Sequence, residues 1–134
     1  MNLIVDASVA IKWGIEEAGS PAAHALLSRP GLIAPDLVIA EIANTLWKKE
    51  QRGELTAAHR PVAFAASTRS FDEFTPCGPL ATRALELAAA LRHPAYDCFY
   101  LALAEARGGT FVTADARLLR VLHQGGWTGK FEAL

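Results

Sequence analysis

The hydrophobic positions of this chain fall into two periods. Short uninterrupted runs, Leu3-Ile4-Val5, Leu32-Ile33-Ala34 and Thr110 to Thr113, read as strands buried on both faces of a parallel sheet. Between them, apolar residues recur every three or four positions. That spacing predicts helices over Ser20 to Ser28, Leu37 to Arg52, Leu55 to Thr68, Leu80 to Leu91, Tyr96 to Arg107 and Ala116 to His123. In the second of these, Ile39, Ile42, Ala43, Leu46 and Trp47 form the stripe, with Asp36 as the expected N-cap and Gly53 as the stop. Pro94, Gly108-Gly109 and Gly125-Gly126 mark further boundaries, Phe71 to Phe74 reads as a short strand, and an edge strand is expected around Lys130-Phe131. Strands alternating with helices predict an α/β fold whose parallel sheet is covered on both faces.

Four carboxylates break the apolar pattern. Asp6 ends Leu3-Ile4-Val5, Glu41 lies a full turn inside its helix, Asp97 precedes Cys98 to Ala104, and Asp115 follows Thr110 to Thr113. A charge in such a setting is costly unless something compensates it. Ligands of parallel sheets bind beyond the carboxyl ends of the strands, where the strand order switches direction. Asp6 and Asp115 fall at two such ends, and the early turns of the helices carrying Glu41 and Asp97 can face the same crevice. An all-oxygen set of this kind suits a hard divalent cation. That cation would bind a phosphate oxygen and lower the pKa of an attacking water, as phosphodiester hydrolysis requires.

Each acid also has a simpler role available. Asp6 and Asp115 would cap the helices that follow them, Asp97 would favour the positive end of its helix, and Glu41 would be a solvated glutamate. All four in one small α/β chain favour a joint site, since carboxylates held close need a cation or raised pKa values.

Length and composition bound what such a site serves. At 134 residues and 51% hydrophobic, the chain is sized for a single domain, 1–134. The apolar stretch Leu3 to Trp13 carries Asp6 and Lys12 and has no basic run before it, which argues against a signal peptide or membrane span and for a cytoplasmic protein. The formal net charge of −1 is unusual for a nucleic-acid binder. Without the four candidate ligands, however, 13 basic residues face 14 − 4 = 10 acidic ones, a surplus that admits phosphates.

Cys77 and Cys98 lack C-x-x-C spacing and are expected to be small packing residues. His24, His59, His93 and His123 have no mutual ligand spacing and match none of the acids, so surface or capping roles are expected. A metal-generated hydroxide is accordingly preferred to a histidine-based ribonuclease mechanism. No G-x-G-x-x-G follows the first strand, no G-x-x-x-x-G-K-[ST] occurs, and Asp6-Ala7-Ser8 lacks the second aspartate of a D-x-D phosphatase, so no nucleotide cofactor is expected.

Four pieces in order, Met1-Asn2-Leu3-Ile4-Val5-Asp6-Ala7-Ser8, Pro35-Asp36-Leu37 with Glu41-Ile42-Ala43-Asn44, Tyr96-Asp97, and Val112-Thr113-Ala114-Asp115, resemble a PIN domain of the VapC toxin type over nearly the whole chain. The resemblance implies a three-layer α/β/α sandwich with a central parallel sheet. It implies a Mg²⁺- or Mn²⁺-dependent endoribonuclease, a cognate VapB-type antitoxin that masks the site, and a homodimer. It assigns Asp6, Glu41, Asp97 and Asp115 to the catalytic, metal-binding quartet, and Ser8 and Thr113 to hydroxyl positions supporting it. The alternative is a catalytically silent PIN-fold module that only binds a partner; the complete quartet argues against it.

Lys12 and Arg117 lie within two turns of a candidate ligand and are the candidate RNA contacts. Lys48, Lys49 and Arg52 read as a solvated helix end, where cations suit the dipole. Trp13, Trp47 and Trp127 are expected in core or interface rather than as platforms for stacked bases.

Overall fold

The computed structural model describes residues 1–134. Strands β1 (Leu3–Val5), β2 (Leu32–Pro35), β3 (Glu73–Thr75), β4 (Thr110–Thr113) and β5 (Lys130–Ala133) form one parallel sheet in the order β3-β2-β1-β4-β5. The helices are α1 (Ala7–Gly14), α2 (Ser20–Ala25), α3 (Leu37–Gln51), α4 (Arg60–Thr68), α5 (Ala81–Leu91), α6 (Ala95–Arg107) and α7 (Ala116–His123). Helix α1 packs on α2, α3 and α4, whereas α6 packs on α5 and lies across β1, β2 and β4. Right-handed crossovers explain the split. Connections running outward from β1 to β3 put α1 to α4 on one face, and those running back put α5 to α7 on the other. The architecture is a three-layer α/β/α sandwich.

The three inner strands are buried at every position, which is why their sequences are continuous apolar runs rather than alternating ones. Ile4, Ile33 and Phe111 are fully buried, and each such side chain contributes about 2–3 kcal/mol. The edge strands differ. β3 and β5 keep exposed positions and carry Glu73, Lys130 and Glu132, charges that discourage pairing with another chain. Gly14 ends α1 where it meets α4; a Cβ there would collide with the Ala63 carbonyl and the Ser67 hydroxyl, so glycine sets how closely these helices approach.

Strand order fixes where a site can form. The chain leaves β1 toward β2, while β4 pairs on the other side with Val5 opposite Val112. The direction therefore switches between β1 and β4, and a crevice opens beyond their carboxyl ends. Helix α3 starts at that edge because it follows β2, and α6 starts there because it runs back to the beginning of β4.

Several boundaries differ from those the sequence predicts. The helix expected over Leu55 to Thr68 begins only at Arg60: Thr56 accepts from the His59 N–H in a preceding turn, and Pro61 fits a first helical turn alone. Asp36 does not cap α3 with its side chain. Its carboxylate instead accepts from the Cys77 N–H, tying the start of α3 to the segment after β3. The strand expected at Phe71 to Phe74 shifts to β3 because Phe71 turns inward, edge-on to Trp13 at 5.4 Å. The helix expected over Ser20 to Ser28 tightens into a 3₁₀ turn from Leu26, and another 3₁₀ turn precedes α5. Trp13 and Trp127 are core residues, whereas Trp47 is 58% exposed on α3.

Candidate active site

Asp6 is the residue at which β1 becomes α1, and it is only 6% exposed. Its Oδ1 accepts from the Ser8 hydroxyl at 2.5 Å and the Val9 N–H at 3.3 Å, while its Oδ2 accepts from the Thr113 hydroxyl at 2.5 Å. Those two hydroxyls are themselves held by the β4–α7 corner. Ser8 Oγ accepts from the Ala114 N–H at 3.0 Å, and Thr113 Oγ1 accepts from the Asp115 N–H at 3.0 Å. Asp6 is thus anchored across the switch point by both strands that border it. The expected capping role and the expected cluster role coincide in one side chain.

Glu41 sits on the second turn of α3, and its Oε1 accepts from the Tyr100 hydroxyl at 2.5 Å. Asp97 occupies the first turn of α6, where the helix dipole favours an acid, and its Oδ2 accepts from His93 Nε2 at 2.5 Å. Burial raises the Asp6 carboxyl to about 6; bonds from Ser8 and Thr113 oppose the rise, and the charge of Asp97 adds to it. Glu41 is raised to about 7, first by burial and then by the charges of Asp97 and Asp6, against the Tyr100 bond. Burial, with Glu41, Asp6 and Asp97 nearby, keeps the Tyr100 phenol well above its ordinary range. Asp6, Glu41 and Asp97 therefore lie within one another's field.

Asp115 stands apart from that trio. It does not figure among the charges that raise Asp6 and Glu41, and its Oδ1 accepts from the Arg117 and Leu118 N–H groups as the N-cap of α7. Arg117 itself is exposed beyond this cap and forms no ion pair, whereas Lys12 is committed elsewhere: its Nζ donates to Glu17 at 3.0 Å and to the Ala18 carbonyl at 2.8 Å. Lys49 also pairs with Glu17, and Arg52 with Glu54, so only Lys48 of that helix end is unpaired.

His93 departs from the surface or capping role expected of it. It is 9% exposed and bonded to Asp97, four residues along the chain. Tyr100 was visible only as part of an apolar segment. The i, i+4 spacing of His93 and Asp97 was the available signal for the first, and the one-turn spacing of Asp97 and Tyr100 for the second. Cys98 is buried, its thiol pushed up to about 11 by burial and then by Asp97, which suits an inert packing residue.

A hard cation fits the donor set. Every candidate ligand is an oxygen, no Lys or Arg pairs with any of the four acids, and two of them carry raised pKa values that a positive charge would relieve. No three His, Cys, Asp or Glu side chains are gathered tightly around one point. Mg²⁺ in particular takes one or two carboxylates and keeps several waters.

The PIN domain family model matches residues 3–123. Ribonuclease VapC3 of Pyrobaculum aerophilum is 33% identical over 121 residues, spanning 88% of this chain and 92% of that protein. Ribonuclease VapC9 of Mycobacterium tuberculosis is 37% identical over 116 residues, 87% of each. A Pyrobaculum aerophilum protein of known crystal structure superimposes with a TM-score of 0.74 at 25% identity, covering 98% of this chain and 83% of that one.

Proposed function

The chain belongs to the PIN-domain family, and from that premise we propose that it is an endoribonuclease toxin of the VapC type, hydrolysing RNA with Mg²⁺ or Mn²⁺ held by Asp6, Glu41 and Asp97. One observation supports this reading above the rest. Three carboxylates share a crevice at the switch point without a Lys or Arg to neutralise them, and burial leaves two of them with raised pKa values. A bound divalent cation supplies a polarised phosphate oxygen and an acidified water. Asp6 provides the fixed point, since Ser8 and Thr113 hold both of its oxygens. Glu41 and Asp97 supply the remaining negative charge from the two helix layers, and Asp115 adds its own at the rim. Arg117, exposed two residues after Asp115, is the RNA-phosphate contact in this reading. Lys12 serves the α1–α2 loop instead.

Residues 1–134 act as one domain in this reading, in the cytoplasm, and no helix is long and apolar enough to cross a membrane. Inhibition comes from a VapB-type antitoxin. Its apolar segment packs into the groove of about 750 Å³ between α3 and α4, lined by Leu46, Trp47, Pro61 and Phe64 with Glu50 and Arg60 also in its wall. An antitoxin Arg then reaches Asp6 or Asp97 and competes with the cation. Calorimetric titration of co-purified antitoxin with and without saturating Mn²⁺ checks this: identical affinities would place inhibition away from the acids. The active form is a homodimer, testable by light scattering.

The decisive experiment sequences the 5′ ends of cellular RNAs after induction of the wild-type chain and of Asp6→Asn. New ends confined to the wild type are expected; ends shared by both belong to another nuclease. In vitro, excess chelator should stop cleavage reversibly, and full activity in chelator would end the cation mechanism.

A further inference from the structure

Asp6 is not the only acid of the trio that is held by one of its neighbours. Glu41 and Asp97 are each bonded through one oxygen alone, Oε1 to Tyr100 and Oδ2 to His93, both at 2.5 Å. Both donors are rigidly placed. Tyr100 is 1% exposed, with its ring tilted against Phe111 of β4 at 5.9 Å, so its hydroxyl reaches from one helix layer to the other at the sheet's carboxyl edge. His93 is 9% exposed, its backbone N–H donates to the Ala88 carbonyl, and Pro94 follows it to open α6. The second oxygens, Oε2 of Glu41 and Oδ1 of Asp97, receive no hydrogen bond from the protein.

We propose that Tyr100 and His93 are positioning residues, each fixing one oxygen of its carboxylate so that the other is presented to the divalent cation. Glutamate and aspartate side chains otherwise rotate freely on partly exposed helix turns, and arresting that rotation beforehand spares the cation the entropy of ordering them. Asp6 is held differently, by one hydroxyl on each oxygen, Ser8 on Oδ1 and Thr113 on Oδ2, which fixes the whole carboxylate and leaves its remaining lone pairs to the cation. All three acids are thereby set by donors from the surrounding layers rather than by one another, which also explains how like charges sit together before a cation arrives. The inference rests on the cation reading given above.

A plain packing role is the competitor, since a buried phenol and a buried imidazole need partners in any case. Mn²⁺ affinity of the RNA-free protein, measured by the electron paramagnetic resonance of unbound Mn²⁺, separates the two. Tyr100→Phe and His93→Leu should each weaken Mn²⁺ binding about 10-fold or more, in the range for lost outer-shell partners. His93→Gln, which keeps a donor, should recover most of the affinity. Trp127→Phe, which loses a comparable bond to Glu105 far from the acids, calibrates the melting temperature against affinity. Wild-type affinity in both Tyr100→Phe and His93→Leu, with melting temperatures lowered as in Trp127→Phe, would overturn the proposal. Failure of the wild type itself to bind Mn²⁺ would overturn the cation reading first, and this inference with it. Should one variant not fold, the other decides.

Discussion

Glu17 and Asp6 are carboxylates on either side of α1, and they are managed in opposite ways. Burial acts against both. At Glu17, bonds from Lys49 and Lys12 overcome it and hold the carboxyl below its usual range, in a three-residue ionic network that ties the loop after α1 to α3. At Asp6 the partners are hydroxyls, which orient without neutralising, and the pKa stays raised at about 6. The protein supplies Glu17 with two lysines and leaves the acidic crevice without a Lys or Arg. A structural carboxylate is therefore complete in the folded chain, whereas a functional one is left to be completed from outside.

The contrast is broken most sharply by removing charge at each place. Asp6→Asn, Glu41→Gln or Asp97→Asn should lower RNA cleavage by about a thousandfold or more, the scale of losing cation-borne charge stabilisation. Their metal-free melting temperatures should equal or exceed that of the wild type, since an isosteric amide relieves repulsion. Cleavage assays beside thermal melts in chelator check both halves. Melting temperatures that fall steeply in all three would make the acids structural, like Glu17.

Proton linkage gives the next largest effect. With Asp6 at about 6 and Glu41 at about 7, the metal-free folded protein keeps protons that the unfolded chain releases near the ordinary carboxyl values of 3.8 and 4.5. The folded state then binds more protons across this window, so its stability falls as pH rises from about 4 to 7. The share of Asp6 is on the order of 3 kcal/mol at most. Denaturant titrations in chelator at pH 5 and pH 8 should show this decline, Asp6→Asn should flatten it, and saturating Mn²⁺ should reduce it. A metal-free stability that rises over the same range would mean that the crevice already contains its compensation.

The sequence made the two regions unequally legible. Asp6, Glu41, Asp97 and Asp115 stand out because each interrupts an apolar segment, and the inner strands are plain because burial on both faces leaves no alternation to misread. The order of motifs, rather than any one of them, carried the family. What stayed hidden was long-range or local detail that periodicity cannot encode. Tyr100 meets Glu41 across 59 positions, and Lys49 meets Glu17 across 32. Lys12 looked free because its partner lies in an irregular loop, and Asp36 looked like a cap because composition does not reveal that Cys77 claims its carboxylate. Asp115 was legible both as an acid at a strand end and as the cap of the helix after it, and its Oδ1 does accept from the start of α7.

Asp115 lies between the two kinds of carboxylate, and its effects should be intermediate. Asn caps helices as well as Asp, so Asp115→Asn should keep stability within a few tenths of a kcal/mol, while Asp115→Ala should lose about 1 kcal/mol. Cleavage should drop about tenfold in both, because rim charge is lost either way, a smaller penalty than for the buried trio. Equal and full activity in the two variants, by initial rates at saturating Mn²⁺, would reduce Asp115 to a cap.

The smallest effect belongs to Glu17. Its side chain is 26% exposed and those of Lys12 and Lys49 are 14% and 12%, so the network is partly screened, and Glu17→Gln should cost about 1 kcal/mol or less. That loss should shrink further as salt is raised, because screening weakens the pairs that the substitution removes. Cleavage by the folded fraction should be unchanged at saturating Mn²⁺, since nothing in the pair faces the crevice acids. Lys12→Met gives the complementary measurement. If Lys12 serves only the loop, it lowers the melting temperature and leaves the KM for RNA alone; a raised KM without loss of stability would return Lys12 to the RNA-binding surface and make Glu17 part of the substrate path.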